Sequence, residues 1–193
     1  MTVGVTGNIG SGKSTVCKVF QVLGIPSFHA DDEAKEFYRL ESGKRIIKEK
    51  LGREVFDGNE VNLRKVASVV FNDKELLEWL NGQIHPFVRA RFVEWKKSHE
   101  KAPYVIYEAA ILFETGRYRE LDLMITVSAP RDLRFNRIMK RDNINREQAE
   151  AREKNQWPQE DKEKLSDFVI NNDENQLVVP QVVETHRQII NSK

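Results

Sequence analysis

The sequence predicts an α/β protein in which a parallel sheet is flanked by helices, and three observations lead to this prediction. Short β-branched apolar runs alternate with amphipathic helical stretches along the chain. A glycine-rich loop joins the first of these runs, residues 2–6, directly to a helical stretch. Roughly 70 residues of helical pattern, more than a crossover needs, separate the second run from the third. One domain with a sizeable insertion fits the length of 193 residues.

Composition excludes several classes of protein. The 31 Lys and Arg residues nearly balance the 30 Asp and Glu residues, so no global field favours nucleic acid or an anionic membrane. No apolar run is long enough to span a bilayer, and the first residues enter a strand without a charged leader, which predicts a cytoplasmic protein. Cys17 is the only cysteine, so disulfides within the chain are excluded. We expect Cys17 to pack in the first helix, with chemical modification as the alternative.

The glycine-rich loop has the G-x-x-x-x-G-K-[ST] pattern of a phosphate-binding loop between Gly7 and Ser14. Backbone N–H groups of such a loop, and the N-terminus of the helix after it, point at the oxygens of a di- or triphosphate. Lys13 is placed to reach the terminal phosphates, and the Ser14 hydroxyl is placed to ligate a bridging Mg²⁺. The predicted nucleotide contacts are Asn8, Ile9, Gly10, Ser11, Gly12, Lys13, Ser14 and Thr15.

Two predicted strands have acidic residues at their carboxyl ends. Asp31 and Asp32 follow the apolar run at residues 25–29, and Glu108 ends the run at residues 104–108. Ligands of an open parallel sheet bind beyond the carboxyl ends of its strands, where the phosphate loop also lies. We expect one of the two aspartates to face the ligand and the other to cap a helix. For Glu108, metal binding and structural pairing are equal alternatives.

The long insertion shows no strand pattern and is predicted to be helical. Asn72 with Glu75 resembles a capping box that opens one helix, and His85-Pro86 is predicted to begin another. His85, Arg89 and Arg91 are candidate anion ligands there, with capped or solvated helix residues as the alternative. The predicted helix breaks are Ser42-Gly43, Gly52, Asp57-Gly58-Asn59 and Gly82.

A basic helix follows the fourth strand, which is predicted at residues 122–127. Its basic residues, set against the single acid Asp132, are Arg131, Arg134, Arg137, Lys140 and Arg141. A helix that only faces solvent would interleave more acids, so we interpret this density as functional. The next helix is capped by residues 145–148, and a break follows at Trp157-Pro158. Together the two helices suggest a hinged arm over the nucleotide.

Several segments form a recognisable series along the chain: Val5-Thr6-Gly7-x-Ile9-Gly10-Ser11-Gly12-Lys13-Ser14, Ala30-Asp31, His85-Pro86, Leu112-Phe113-Glu114, Arg137-x-x-x-Arg141-Asp142, Gln156 and Asp167-x-Val169-Ile170-x-Asn172. Their order and spacing resemble the dephospho-coenzyme A kinases, a family within the nucleoside-monophosphate-kinase-like P-loop proteins. The sequence departs from the family pattern in two places. The family's Asp-Ala-Asp reads His29-Ala30-Asp31 here, so only Asp31 inherits the acidic role, and the family's Pro-Leu-Leu-Phe-Glu lacks its proline in residues 110–114.

The resemblance implies a five-stranded parallel sheet flanked by helices, the P-loop kinase fold. It implies a nucleotide-binding core at residues 1–31 and 103–193, a helical acceptor subdomain at 32–102 and a lid at 135–165. The implied reaction transfers the ATP γ-phosphoryl group to the ribose 3′-hydroxyl of dephospho-coenzyme A, the last step of coenzyme A biosynthesis. ATP and dephospho-coenzyme A would be the partners, with Mg²⁺ as cofactor and with no obligate protein partner, nucleic acid or membrane.

The implied site residues divide by role. Asp31, Lys13 and Arg137 are predicted to be catalytic, and Arg141 and Asn172 join the nucleotide contacts. The predicted substrate contacts are His85, Arg89, Glu108 and Leu112, and the predicted metal ligands are Ser14 and Glu108.

Rival functions are a kinase for another small hydroxyl acceptor, a P-loop GTPase switch, and a partner-regulated ATPase. An Asn-Lys-x-Asp guanine motif and an Asp-x-x-Gly metal motif are both missing from the sequence, which argues against the switch. Small size argues more weakly against the ATPase.

Overall fold

The computed structural model describes residues 1–70 and 73–192. These residues form two compact units. The first consists of residues 1–29 with the chain from residue 99 onward, and the second of residues 30–98. The strands, in chain order, are β1 (Thr2–Thr6), β2 (Ser27–His29), β3 (Phe56–Asp57), β4 (Glu60–Val61), β5 (Val105–Glu108), β6 (Leu123–Ser128) and β7 (Phe168–Asn171). The α-helices are α1 (Lys13–Val22), α2 (Ala30–Arg39), α3 (Glu41–Leu51), α4 (Leu63–Val70), α5 (Lys74–Lys97), α6 (Arg131–Asp142), α7 (Arg146–Glu153), α8 (Gln159–Lys164) and α9 (Val178–Asn191).

A parallel sheet of five strands forms the centre of the first unit, in the order β2-β5-β1-β6-β7. The central strand β1 is buried along its whole length, as expected of a parallel strand covered on both faces. The predicted five-stranded parallel sheet is confirmed. Its core is formed by Val3, Val5, Val16, Cys17, Phe20, Ile25, Tyr104, Ile106, Ile125, Val127, Ile170, Val182 and Ile189.

Strand β2 begins at Ser27, two residues later than the sequence predicts. Pro26 has no N–H group to donate to a ladder, although its carbonyl accepts a hydrogen bond from Ile106 N at 2.8 Å. The strand therefore starts where both backbone groups become available for pairing.

The second unit corrects the prediction of a wholly helical insertion. Strands β3 and β4 form an antiparallel hairpin in which Phe56 pairs with Val61 and Asp57 with Glu60. Gly58 adopts a positive φ of 62° in its turn. Strands of two residues are too short to show the period-2 pattern on which a strand prediction depends.

Helix α5 runs without interruption through Gly82 and His85-Pro86, so the predicted break and the predicted second helix start are wrong. The buried residues Leu80, Ile84, Val88 and Phe92 recur every four positions on both sides of the proline. Burial of this continuous stripe outweighs the hydrogen bond that a helical proline forfeits.

Two other helix boundaries in the insertion differ from the prediction. Helix α3 runs through Gly43, where a Cβ atom would collide with the Phe37 carbonyl oxygen, so this glycine permits close packing and is not a break. At the start of α5, the Asp73 side chain accepts a hydrogen bond from Leu76 N at 3.0 Å. The predicted cap residue Asn72 lies outside the described residues.

Candidate functional site

The phosphate loop connects β1 to α1 and has a backbone that only glycine accommodates at key positions. Gly12 is the N-cap of α1 with φ 96°, and a Cβ atom there would collide with the side-chain nitrogen of Asn172. Gly10 has φ 81°, and a Cβ there would collide with the backbone of Arg134. The first N–H groups of α1, which have no partner inside the helix, therefore stand at the end of this loop.

Lys13 and the hydroxyls after it occupy the first turn of α1. Ser14 and Thr15 are exposed, and Lys13 is partly exposed. The Lys13 ammonium donates a hydrogen bond to the Gly7 carbonyl at 3.2 Å, across the mouth of the loop. Contact of these groups with a phosphate chain stays a prediction.

The loop is held by side chains from distant parts of the chain. Asn172, just after β7, donates from Nδ2 to the Ser11 carbonyl at 2.8 Å. Arg134, in α6, donates from Nη1 to the Ile9 carbonyl at 3.3 Å, and Gln156 Oε1 accepts from Ile9 N at 2.8 Å. The structure thus gives Asn172, a predicted nucleotide contact, a role in shaping the loop.

Glu108 and His29 form a hydrogen-bonded pair at the carboxyl ends of β5 and β2. Glu108 Oε2 lies 2.9 Å from His29 Nδ1, and the Glu108 side chain is only 7% exposed. His29, which stands where the family usually has an aspartate, thereby provides Glu108 with a structural partner. The metal-binding role of Glu108 stays a prediction.

Cys17 is buried among the core residues next to this site. Burial raises the pKa of the Cys17 thiol, and the Glu108 carboxylate raises it further. Because the thiolate is the reactive form, this argues against the alternative that Cys17 is modified.

Two basic residues of helix α6 form ion pairs with acids of α7, the helix that follows it. Arg134 is buried, and its Nη2 donates to Glu153 Oε1 at 2.7 Å, while Arg131 Nε donates to Glu153 Oε2 at 2.7 Å. Arg131 also lies 3.7 Å from Glu150. Counting charges along α6 alone thus overlooks these acids of α7, and the functional interpretation of the basic helix stays a prediction.

Arg137 remains a candidate for direct contact with a nucleotide. Its Nη2 donates to the Asn172 carbonyl at 3.1 Å and to Glu174 Oε1 at 3.3 Å. Its Nη1 is buried and has no hydrogen-bond partner among the described residues. This guanidinium therefore contacts the segment that shapes the phosphate loop, and its role towards a nucleotide stays a prediction.

Arg141, the other predicted arm residue, pairs with its neighbour Asp142 through two hydrogen bonds of 2.7 and 3.0 Å. Arg152 also binds Asp142. Arg141, with help from Arg152, lowers the pKa of the Asp142 carboxyl to about 2. Arg141 and Arg152 thus share one carboxylate, and neither is an isolated solvated residue.

The remaining predicted site residues lie in different places. Leu112 is buried in the first unit, where it would contact a Cβ added to Gly4, and its substrate contact stays a prediction. Asp31 lies exposed in the first turn of α2 in the second unit. His85 and Arg89 lie on α5 in the same unit and are also exposed.

Sequence reasoning missed three residues that surround the phosphate loop: Arg134 as a bracing residue, Gln156 as an amide bridge, and Lys162 as a buried cation. The sequence could have indicated Gln156, because this residue precedes the Trp157-Pro158 break and belongs to the family pattern. Nothing in the sequence distinguishes Lys162, because it lies in a helix composed mostly of charged residues.

The parallel sheet, its glycine-only loop and the helix N-terminus with Lys13 define the class of P-loop phosphotransferases. The profile of one family, described as dephospho-CoA kinase, matches residues 1–177. The chain belongs to the dephospho-CoA kinase family, whose reaction is the last step of coenzyme A biosynthesis.

Individual relatives agree with this family. A dephospho-CoA kinase from Bacteroides fragilis is 36% identical over 186 residues, which cover 94% of this chain and 89% of the relative. The crystal structure of TT1252 from Thermus thermophilus matches with a TM-score of 0.86 and 33% identity, and covers 100% of this chain and 97% of its own. Dephospho-CoA kinase from Campylobacter jejuni matches with a TM-score of 0.70 and 28% identity, and the match covers 99% of this chain and 98% of the other. In the described part of this chain, no helix has the length and apolar character needed to cross a bilayer.

Proposed function

We propose that this chain binds ATP at its phosphate loop and transfers the γ-phosphoryl group to the ribose 3′-hydroxyl of dephospho-CoA. The observation that carries the proposal is the loop itself, in which glycine-only geometry sets the start of α1 and Lys13 at the edge of the parallel sheet. Family membership favours dephospho-CoA over other hydroxyl acceptors.

Lys13 exchanges partners in this proposal. Its ammonium lies on the Gly7 carbonyl, a neutral acceptor, and on binding of ATP it would move to the β- and γ-phosphate oxygens. Charge-assisted hydrogen bonds are stronger than neutral ones, so the exchange favours the phosphates. The N–H groups at the start of α1 and of the loop stabilise the same oxygens as charge redistributes in the transition state.

The residues of the site also fit Mg²⁺. Hard cations take oxygen ligands, and the Ser14 hydroxyl is exposed in the first turn of α1. Among the described residues no group of three or more His, Cys, Asp or Glu forms a metal cage, so Ser14, phosphate oxygens and water would be the ligands, with Glu108 as a further candidate. When bound, Mg²⁺ would neutralise charge on the phosphates.

Asp31 acts on the acceptor in this proposal. A carboxylate within hydrogen-bond reach aligns the 3′-hydroxyl and accepts its proton as the bond to phosphorus forms. Asp32 accepts a hydrogen bond from Lys35 at 2.7 Å on the surface of α2. We assign the acid that faces the ligand to Asp31 because it stands at the acidic position of the family pattern Ala30-Asp31, and Asp32 is then the helix-terminal acid.

The second unit supplies the acceptor contacts in the proposal, with His85 and Arg89 on α5 as anion ligands. The segment at residues 135–165 serves as the lid, and Arg141 and Asn172 contribute to nucleotide binding. The cytoplasmic location and the lack of an obligate protein partner stay predictions.

Arg137→Ala is expected to lower kcat by roughly 10- to 100-fold while the KM for ATP changes much less. The buried Nη1 atom can meet charge that develops on the transferred group, so its contribution is greatest in the transition state. Steady-state kinetics on both substrates measure the split between kcat and KM.

Lys140→Ala is the matched control for Arg137→Ala, since Lys140 is an exposed cation on the same helix. Arg152 is not a suitable position for a control variant, because its side chain shares the Asp142 carboxylate with Arg141. Equal losses in the Arg137 and Lys140 variants would show that α6 contributes only general positive charge.

An ADP-release assay over a panel of acceptors tests the proposed function. We expect ADP release from ATP to depend on dephospho-CoA and to respond weakly to nucleoside monophosphates and other small hydroxyl compounds. ADP release that is independent of any acceptor would indicate an ATPase, and a preference for GTP would indicate the switch class.

A further inference from the structure

Lys162 is a charged residue in the interior of the first unit. Its side chain is 0% exposed, although α8 is a short helix composed mostly of charged residues. Its Nζ atom lies 2.7 Å from Glu114 Oε1 and donates to the Ala110 carbonyl at 3.2 Å. Lysine is almost never fully buried unless it is paired, and a buried ion pair is weak evidence of added stability. Its presence therefore calls for another explanation.

The Ala110 carbonyl connects Lys162 to the phosphate loop. This oxygen also accepts from Gln156 Nε2 at 3.3 Å, and the other end of the same amide, Oε1, accepts from Ile9 N at 2.8 Å. Both ends of the Gln156 amide are therefore hydrogen-bonded, the nitrogen to the Ala110 carbonyl and the oxygen to the phosphate loop. A charged donor on that carbonyl limits where the amide can lie.

Glu114 provides a second connection. Its Oε1 atom, which pairs with Lys162, also accepts from Trp157 N at 2.8 Å. The Trp157 carbonyl in turn accepts from Asn8 Nδ2 at 3.2 Å. Two routes therefore run from the buried ammonium to adjacent residues of the phosphate loop, Asn8 and Ile9. Both residues lie before the glycines that open towards the phosphates.

We propose that Lys162 is a positioning residue for phosphoryl transfer, whose buried ammonium fixes the Ala110 carbonyl and Glu114 and, through Gln156 and Trp157, the conformation of the phosphate loop. The inference rests on the proposed function, because it assigns Lys162 to the geometry of that same site. Reacting groups must be held closely, and a displacement of about 1 Å can cost roughly 10² in rate.

Lys162→Met tests the proposal, since it removes the ammonium and keeps an unbranched apolar side chain. We expect kcat to fall by roughly 10- to 100-fold, with weaker ATP binding by calorimetry. Lys162→Arg keeps the charge and should recover most of kcat. Lys164→Met, an exposed position on the same helix, is the control and should stay within about twofold of wild type.

The double variant Lys162→Met with Glu114→Gln separates positioning from folding. The single variant leaves a buried carboxylate without its cation, which destabilises the fold, whereas the double variant removes both charges. We expect the double variant to regain much of the free energy of unfolding and to keep the low kcat. Recovery of kcat together with stability would overturn the proposal, as would a Lys162→Met enzyme with near wild-type kcat.

The pH dependence of kcat distinguishes a positioning role of Lys162 from a purely structural one. Burial lowers the pKa of Lys162, Glu114 opposes this shift, and the nearby cations Lys13 and Arg134 add to it. Above its folded-state pKa Lys162 loses its proton while the unfolded chain still binds one, so its contribution to the free energy of unfolding rises with pH. Turnover, in contrast, should fall as the pH rises above the folded-state pKa of Lys162.

In Lys162→Arg the alkaline fall in kcat should move to higher pH, because a guanidinium stays charged. An unchanged alkaline limb in the kcat profile of Lys162→Arg would contradict the proposal.

Wild-type turnover with dephospho-CoA is measured first in the same assay. An inactive wild-type enzyme would overturn the proposed function, whereas an active wild type with fully active Lys162 variants would overturn this inference alone.

Discussion

Lys13→Ala is expected to lower turnover by roughly 10³-fold or more without unfolding the chain. In the proposed function the Lys13 ammonium stabilises the β- and γ-phosphates as negative charge redistributes in the transition state. Its only described hydrogen bond is to the Gly7 carbonyl, and its side chain is partly exposed, so its removal costs the fold little. Turnover and thermal unfolding are measured on the same preparation.

Lys18→Ala is the matched control for this variant, because Lys18 is an exposed lysine on the same helix, α1. We expect Lys18→Ala to keep wild-type turnover within about twofold. Near wild-type turnover in Lys13→Ala would contradict the assignment of the loop as the ATP site.

Asp31→Asn is expected to lower kcat by roughly 10² or more, which is the scale of a lost general base. The amide preserves the size of the side chain and much of its hydrogen bonding but cannot accept the proton of the 3′-hydroxyl. ATP affinity should change far less, because Asp31 is assigned to the acceptor. Steady-state kinetics and calorimetry with ATP measure the two effects separately.

Asp32→Asn is the control, since this neighbouring carboxylate pairs with Lys35 on the surface of α2. Partial recovery of Asp31→Asn at raised Mg²⁺ concentration, with weaker nucleotide binding, would indicate a metal-positioning role. If Asp32→Asn loses activity and Asp31→Asn retains it, the roles of the two carboxylates are reversed.

The sequence predicted the sheet and the phosphate loop because their signals are local. An apolar run such as β1 must be buried on both faces, and the glycine pattern from Gly7 to Gly12 reflects positive φ angles and close backbone contacts. The capping box at Asn145 is also local, and its two hydrogen bonds with Gln148 are present as predicted.

Predictions failed where a residue's environment is set by distant parts of the chain. Arg134 is neutralised by Glu153, a partner that charge counting along one helix overlooks. Pro86 was interpreted as a helix start, although the buried face on both sides of it keeps α5 continuous. Lys162 was missed for the same reason, since burial is a property of the packed fold and not of the local pattern.

Phosphorus NMR of the product tests the central claim most directly. The enzyme is incubated with ATP, Mg²⁺ and dephospho-CoA, and in parallel with the acceptor lacking its 3′-hydroxyl. We predict a new phosphomonoester resonance, coupled to the ribose 3′ proton and equal in amount to the ADP formed, and no such product from the 3′-deoxy acceptor. Orthophosphate in place of the ester, or phosphorylation at another hydroxyl, would contradict the account.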